Sequence, residues 1–238
     1  MDGRALVNLL YPPACALCRQ RLPATWHPFC DRCEHVLPRW NVPICERCGV
    51  GLSGAYDAQM ICARCRSHPP SFLKARAPFC YQGPVREAIH RFKYDRQMPI
   101  GRWLAQVMAQ LARRDLAQEN LQGVASVPMH WLKRRLKGFN PAEILAAHVA
   151  QELDLPYARL ALRKTRWTRT QTSLSWRDRY RNVRHAFRAG PTRLPSEGTL
   201  LLVDDVLTSG ATVRACIEAL RGAGLKDIAV LTAASVLP

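Results

Sequence analysis

A chain of 238 residues has room for one ordinary domain and a smaller companion, and its 48% hydrophobic content excludes wholesale disorder. The 35 Lys and Arg residues outnumber 18 Asp and Glu, a formal charge of +17. Such a charge points to nucleic acid or phosphorylated small molecules as partners, or to no more than a solubilising arginine-rich surface.

The first apolar run, residues 5–11, is interrupted by Asn8 and stopped by Pro12 and Pro13. It is too short for a signal segment with a cleavage site, and no later window approaches a membrane span, so a cytoplasmic protein is expected. Eight of ten cysteines then fall into four Cys-x-x-Cys pairs: Cys15 and Cys18, Cys30 and Cys33, Cys45 and Cys48, Cys62 and Cys65. Two thiolates separated by two residues can share one tetrahedral ion, so four pairs supply two complete four-thiolate zinc sites. Sequential pairing needs no threading of loops, and an interleaved cross-brace is the alternative. Four thiolates leave no open position for water, which makes the zinc structural. A metal-free redox role is the competing reading, but one redox pair would not need three more beside it.

Composition changes at residues 66–71, where the cysteine pairs end and Pro69 and Pro70 appear. A boundary there divides a ribbon unit, 1–70, from a larger unit, 71–238. Residues 76–81 read as a strand, and Gly83-Pro84 turns into a helix with Val85, Ile89 and Phe92 on one face. A second helix carries Trp103, Leu104, Val107, Met108 and Leu111. Residues 123–127 read as a buried strand ended by Pro128. A third helix starts near Pro141, with His148 on its apolar face as a core histidine, and 160–162 is a short strand. Ser175 and Asp178 have the spacing of a capping box. Strands at 200–203 and 228–233 flank a last helix that carries Val213, Cys216, Ile217 and Leu220 and is closed by Gly222 and Gly224. Cys80 and Cys216, outside the pairs, read as small core residues. Alternating strands and helices predict an α/β fold with a parallel sheet, whose ligands bind beyond the carboxyl ends of the strands.

At one such end stand Asp204, Asp205, Val206, Leu207, Thr208, Ser209, Gly210, Ala211 and Thr212. Amides of a turn opening a helix are partnerless donors with partial positive charge, so 208–212 suit a phosphate. Two carboxylates repel that phosphate but accept hydrogen bonds from the hydroxyls of an attached sugar. Helix capping would account for the acids, but not for the spaced hydroxyls together with a glycine. Two basic segments are expected to converge on the same cleft. Lys133, Arg134, Arg135 and Lys137 precede the turn at Gly138, and Arg166, Arg169 and Gln171 lie in a polar stretch around Trp167. Both suit pyrophosphate or nucleic acid; the alternatives are a solvated basic loop for the first and a closing lid or single-strand contact for the second.

The motif at 200–212 resembles the phosphoribosyl pyrophosphate (PRPP) signature of type I phosphoribosyltransferases, with Ser209 in place of a second Thr. Tyr11-Pro12-Pro13 before the first cysteine pair, the double ribbon, Gly83-Pro84-Val85-Arg86, Val127-Pro128 and Lys137-Gly138-Phe139-Asn140 extend the likeness. Arg166 through Leu174, Arg179, Asn182-Val183 and Ala186-Phe187 complete it. As a series they resemble the competence protein F (ComF/GntX-like) family. That family has Arg-Gly-Phe-Asn-Gln where this chain has Lys137 through Pro141, so the charge is kept and the bidentate fork is not. The resemblance implies a double zinc ribbon joined to a type I phosphoribosyltransferase-like sheet flanked by helices. It implies PRPP with Mg²⁺ as ligand, Asp204 and Asp205 as catalytic residues, and ribose-5-phosphate transfer to an acceptor it does not name, or sensing of that ligand. It further implies natural competence and DNA uptake, with single-stranded DNA and uptake proteins as partners. A non-catalytic DNA-binding or adaptor protein is the alternative.

Overall fold

A computed structural model describes residues 12–23, 27–52, 59–168, 183, 185–192, 194–195 and 197–236. In chain order the cysteine region carries two short helices, α1 (Asp31–His35) and α2 (Ala63–Ser67). Then come β1 (Ala75–Arg76), β2 (Phe79–Cys80), α3 (Gly83–Tyr94), α4 (Met98–Asp115), β3 (Leu121–Ser126), α5 (Trp131–Lys137) and α6 (Pro141–Leu153). The chain closes with β4 (Leu162–Lys164), β5 (Phe187–Ala189), β6 (Thr199–Leu207), α7 (Ala211–Arg221) and β7 (Asp227–Ser235).

The main sheet runs β1-β7-β6-β3, with β2 also on β7, and every pairing is parallel. β6 lies inside it and is apolar on both faces, as a central parallel strand must be. Leu201 and Val203 face a core built with α3, α4 and α6, while Leu200 and Leu202 face α7 and the β4–β5 ribbon. The predicted strand at 76–81 is two short strands. Arg76 pairs with Leu231 and Phe79 with Ala234, so the register continues, but Pro78 has no N–H to give the ladder. The strand expected at 160–162 lies two residues later and pairs antiparallel with β5, apart from the main sheet. His148 is half-exposed rather than core, because it sits at the edge of the α4–α6 contact beside Arg102, Gln151 and Glu152. Cys80 and Cys216 are buried, as expected of small core residues. The capping box at Ser175 and Asp178 lies outside the described residues.

The two four-cysteine groups pair sequentially, Cys15/Cys18 with Cys30/Cys33 and Cys45/Cys48 with Cys62/Cys65. The first ribbon shares the main core: Cys15, Leu22, Phe29, Cys33 and Leu37 pack with Phe79 and Trp103. Phe29 meets the Trp103 ring edge-on at 5.0 Å, and Phe79 stacks on it at 5.5 Å.

Close packing also sets the end of α3. Gly101 of α4 lies against Phe92, and a Cβ at that glycine would stand 2.4 Å from the ring. Gly101→Ala is therefore expected to cost about 1–3 kcal/mol, measured by denaturant unfolding, as Phe92 is forced off its site. The next residue along α3 is Lys93, whose position depends on that packing. Among the described residues no helix is long and apolar enough to cross a membrane.

Candidate functional site

β6 runs on through the acidic pair, with Asp204 opposite Thr232 and Leu207 opposite Ser235, so the acids stand in the last turns of the ladder instead of beyond it. Successive strand residues point to opposite faces. Asp205 accordingly meets α3, where the Lys93 ammonium lies 2.7 Å from its Oδ1. Asp204 turns the other way, towards Lys164 of β4 and Cys216 of α7, and its Oδ1 accepts the Asp205 N–H at 2.8 Å. Both acids are half-buried, not sealed in.

Burial, followed by the neighbouring Asp205 charge, pushes the Asp204 carboxyl up to about 8, against the pull of Lys93 and Lys164. Burial lowers the Lys93 ammonium, but Asp205 and then Asp204 outweigh it and hold its pKa above the ordinary value. Lys137 is held below by burial and by Lys93; it lies over the Tyr94 ring at 4.2 Å. Lys164 is lowered by burial and by Lys133, and donates to Thr168 Oγ1 at 2.8 Å. Burial pushes the Cys216 thiol well up.

The turn at 208–210 joins the acids to α7. Gly210 is left-handed, φ 75°, a conformation glycine adopts freely, and a Cβ there would meet nothing within 4 Å. Ser209 is buried and its Oγ accepts the Ala211 N–H at 3.4 Å. Thr208 is exposed and Thr212 half-buried. Val206 and Leu207 continue the strand, where the simple alternation of faces ends: Val206 packs with the α3–α4 core and Leu207 with the α7 core.

The basic stretch 131–137 forms helix α5. His130 caps its start by accepting the Leu132 N–H at 3.3 Å, and Gly138, φ 86°, closes it. Lys133 lies 5.2 Å from the centre of the Trp167 ring, which meets His130 edge-on at 5.3 Å. Arg134 is paired with Glu143 at 2.9 Å. Arg135 and Arg166 are both exposed. Arg169 and Gln171 lie outside the described residues. Lys93 was not among the residues singled out from the sequence, whereas Lys164 belongs to the polar, basic stretch around Trp167 that was expected at this cleft. Lys93 follows the core residue Phe92 on an otherwise ordinary amphipathic helix, so only its place beside Phe92 hinted at it.

Each cysteine group brings its four Sγ atoms within 4.8 Å of one another. Cys18 and Cys30 Sγ, like Cys48 and Cys62 Sγ, are 3.7 Å apart. A Zn–S bond near 2.3 Å gives a tetrahedral edge of about 3.8 Å, so the donor set fits zinc in spacing and softness. The amides of Cys30 and Cys62 donate to Cys15 and Cys45 Sγ at 3.4 and 3.3 Å, which suits thiolates. Both sites are closed and structural.

A parallel sheet with an acidic strand end, an amide turn opening a helix, and two four-thiolate ribbons define a phosphoribosyltransferase-like protein with a double zinc ribbon. Family models match accordingly, the double zinc ribbon domain over residues 6–82 and the phosphoribosyl transferase domain over residues 137–236. The DNA utilization protein YhgH of Salmonella typhimurium is 31% identical over 185 residues, 76% of this chain and 79% of its own. Competence protein F of Haemophilus influenzae is 30% identical over 175 residues, 71% of this chain and 76% of its own. This chain belongs to the competence protein F family. Among solved structures, the glutamine PRPP amidotransferase from B. subtilis overlaps 61% of this chain and 30% of its own at TM-score 0.41 and 21% identity.

Proposed function

We propose that the larger unit, 71–238, binds PRPP with Mg²⁺ and transfers ribose 5-phosphate to an acceptor, in the service of DNA utilisation. The ribbon unit, 1–70, is its structural companion. The observation that carries this reading is the acid pair at the end of β6, directly before the turn into α7, with Lys93 and Lys164 drawn to it from α3 and β4. Asp204 and Asp205 exchange hydrogen bonds with the ribose hydroxyls, and Asp205, the acid paired with Lys93, favours the positive charge that develops at the anomeric carbon. Amides and hydroxyls of 208–212 hold the 5′-phosphate. Lys93, Lys137 and Lys164 favour the departing pyrophosphate, which takes the electron pair of the broken C–O bond while the acceptor forms the new bond and loses its proton. Mg²⁺, when bound, supplies charge neutralisation on that leaving group, and Asp204 and Asp205 are the hard oxygen donors on its side of the site.

PRPP with Mg²⁺ is expected to raise the melting temperature of the wild-type protein. The Asp204→Asn/Asp205→Asn variant is expected to lose about a hundredfold in PRPP affinity, the worth of two hydrogen bonds to charged acceptors. Equal affinity in wild type and variant would remove the site from this role.

A second reading, binding of single-stranded DNA, is favoured by the aromatic and basic surface around α5. Trp131 is 61% and Trp167 45% exposed, beside Lys133, which suits base stacking over a charged track. Its test is the salt dependence of oligonucleotide binding, which counterion release makes steep; salt-insensitive binding counts against it.

A further inference from the structure

The second cysteine ribbon reaches the turn at 208–210. Arg64 stands on α2 between Cys62 and Cys65, and its Nη2 donates to the backbone carbonyl of Ser209 at 2.7 Å. The 209–210 peptide is trans, as are all the described peptide bonds. In a planar trans peptide the carbonyl and the following N–H point in opposite directions, so a carbonyl held towards Arg64 turns the Gly210 amide away from the ribbon. Gly210 is in the left-handed region, where a glycine lets the preceding peptide plane rotate at little cost. A hold from outside the turn therefore decides which way that amide faces.

Arg64 is itself held by the ribbon. The Cys62 amide donates to Cys45 Sγ at 3.3 Å and the Cys65 amide to Cys62 Sγ at 3.4 Å, which fixes α2 on the thiolate cluster. The ribbon is in turn fastened to the sheet edge. The Ala75 amide donates to the Arg47 carbonyl at 2.7 Å, and the buried Arg76 guanidinium donates to the Glu46 carbonyl and carboxylate, each at 3.1 Å. A continuous set of contacts thus runs from the sheet edge through the second four-cysteine site to the turn before α7.

We propose that Arg64 is a positioning residue: the second zinc ribbon, through it, holds the 209–210 peptide so that the Gly210 amide is presented to the 5′-phosphate of the ligand. Zinc in the Cys45/Cys48/Cys62/Cys65 site then favours sugar-phosphate binding some distance from the metal. The inference rests on the assignment of 208–212 as the phosphate cradle.

The full-length, zinc-loaded protein is titrated calorimetrically with ribose 5-phosphate and, separately, with pyrophosphate and Mg²⁺. Arg64→Ala is expected to weaken ribose 5-phosphate about tenfold, the size of one charge-assisted hydrogen bond, and to leave pyrophosphate unchanged. Arg64→Lys recovers part of that loss, since it keeps a donor and a charge but not the planar fork. Cys65→Ser weakens ribose 5-phosphate by a similar factor, and combining it with Arg64→Ala adds nothing, because both act through one contact. Should Cys65→Ser fail to fold, the Arg64 series decides by itself, since that side chain is exposed and its replacement removes no thiolate. Unchanged ribose 5-phosphate binding in Arg64→Ala, or an equal loss of both ligands, overturns the proposal. Wild-type protein that binds neither ligand overturns the cradle assignment itself, before any variant is compared.

Discussion

Cys33→Ser is expected to lower the melting temperature of the whole protein by more than about 10 °C, as a loss of about 5 kcal/mol does in a chain of this size. Cys33 completes the first four-cysteine site and is itself buried in the main core. A structural zinc holds its ribbon with an apparent ~10–16 kcal/mol, comparable to the entire stability of an ordinary domain. The ribbon cannot come apart alone. Phe29 and Leu37 would leave Trp103 and Phe79 uncovered, the Cys80 amide would lose the Pro38 carbonyl at 2.8 Å, and Arg91 would lose the Ala16 carbonyl. Scanning calorimetry with and without a chelator checks this; a second transition at the wild-type temperature would show that the core stands without its ribbon. The corresponding change in the second ribbon, Cys65→Ser, is expected to cost less, because among the described residues that ribbon's apolar cluster contains only Cys45, Leu52 and Cys65 as buried members.

Lys93→Met is expected to cost about 3 kcal/mol at pH 8, the low end of what removal of one partner from a buried ion pair costs. Its ammonium and Asp205 are 18% and 20% exposed, so solvent softens the loss without abolishing it. Two adjacent carboxylates would then share the strand end without that cation. The pH dependence has a definite sign. Asp204 rises from an ordinary 3.8 to about 8 on folding, so the folded protein binds more protons than the unfolded chain between those values. Stability from this group therefore falls as pH rises from about 4 to about 8 and is level on either side. Lys93, raised above its ordinary value, contributes stability that is lost only as pH climbs through that raised value, so it does not offset the decline. Removing Lys93 extends the fall to higher pH, while Asp204→Asn abolishes it. Unfolding free energies at pH 4, 6, 8 and 9 test both variants. A fall that persists unchanged in Asp204→Asn would assign it to other groups.

The parts of the site that are contiguous in the chain were legible before any coordinates. Asp204 through Thr212 form one strand, one turn and one helix start, and each of these has a local signature: an apolar run, a glycine with hydroxyls, an amphipathic repeat. The cysteine ligands were legible for the same reason, since two residues of spacing bring both thiolates to one ion. Helix α5 was less so. His130 serves as its cap through a ring nitrogen, a role commoner in Ser, Asp and Asn, and its apolar residues Trp131, Leu132 and Leu136 stand among cations and stay exposed, so no core face marks it.

Residue order alone specified the acid pair and glycine turn at the end of β6, the ligand sets of the ribbons and the alternation that makes a parallel sheet, because each is a short-range pattern. It did not choose between sequential and interleaved ribbons, nor did it reveal that the acids face opposite sides of the sheet with Lys93 on one and Lys164 on the other. Nor did it bring Arg64 within reach of Ser209, 145 positions away. Those juxtapositions depend on how α3 packs under Gly101, how β4 folds back on β5 and how the second ribbon docks on β1. Long-range packing sets them, and no local propensity records it.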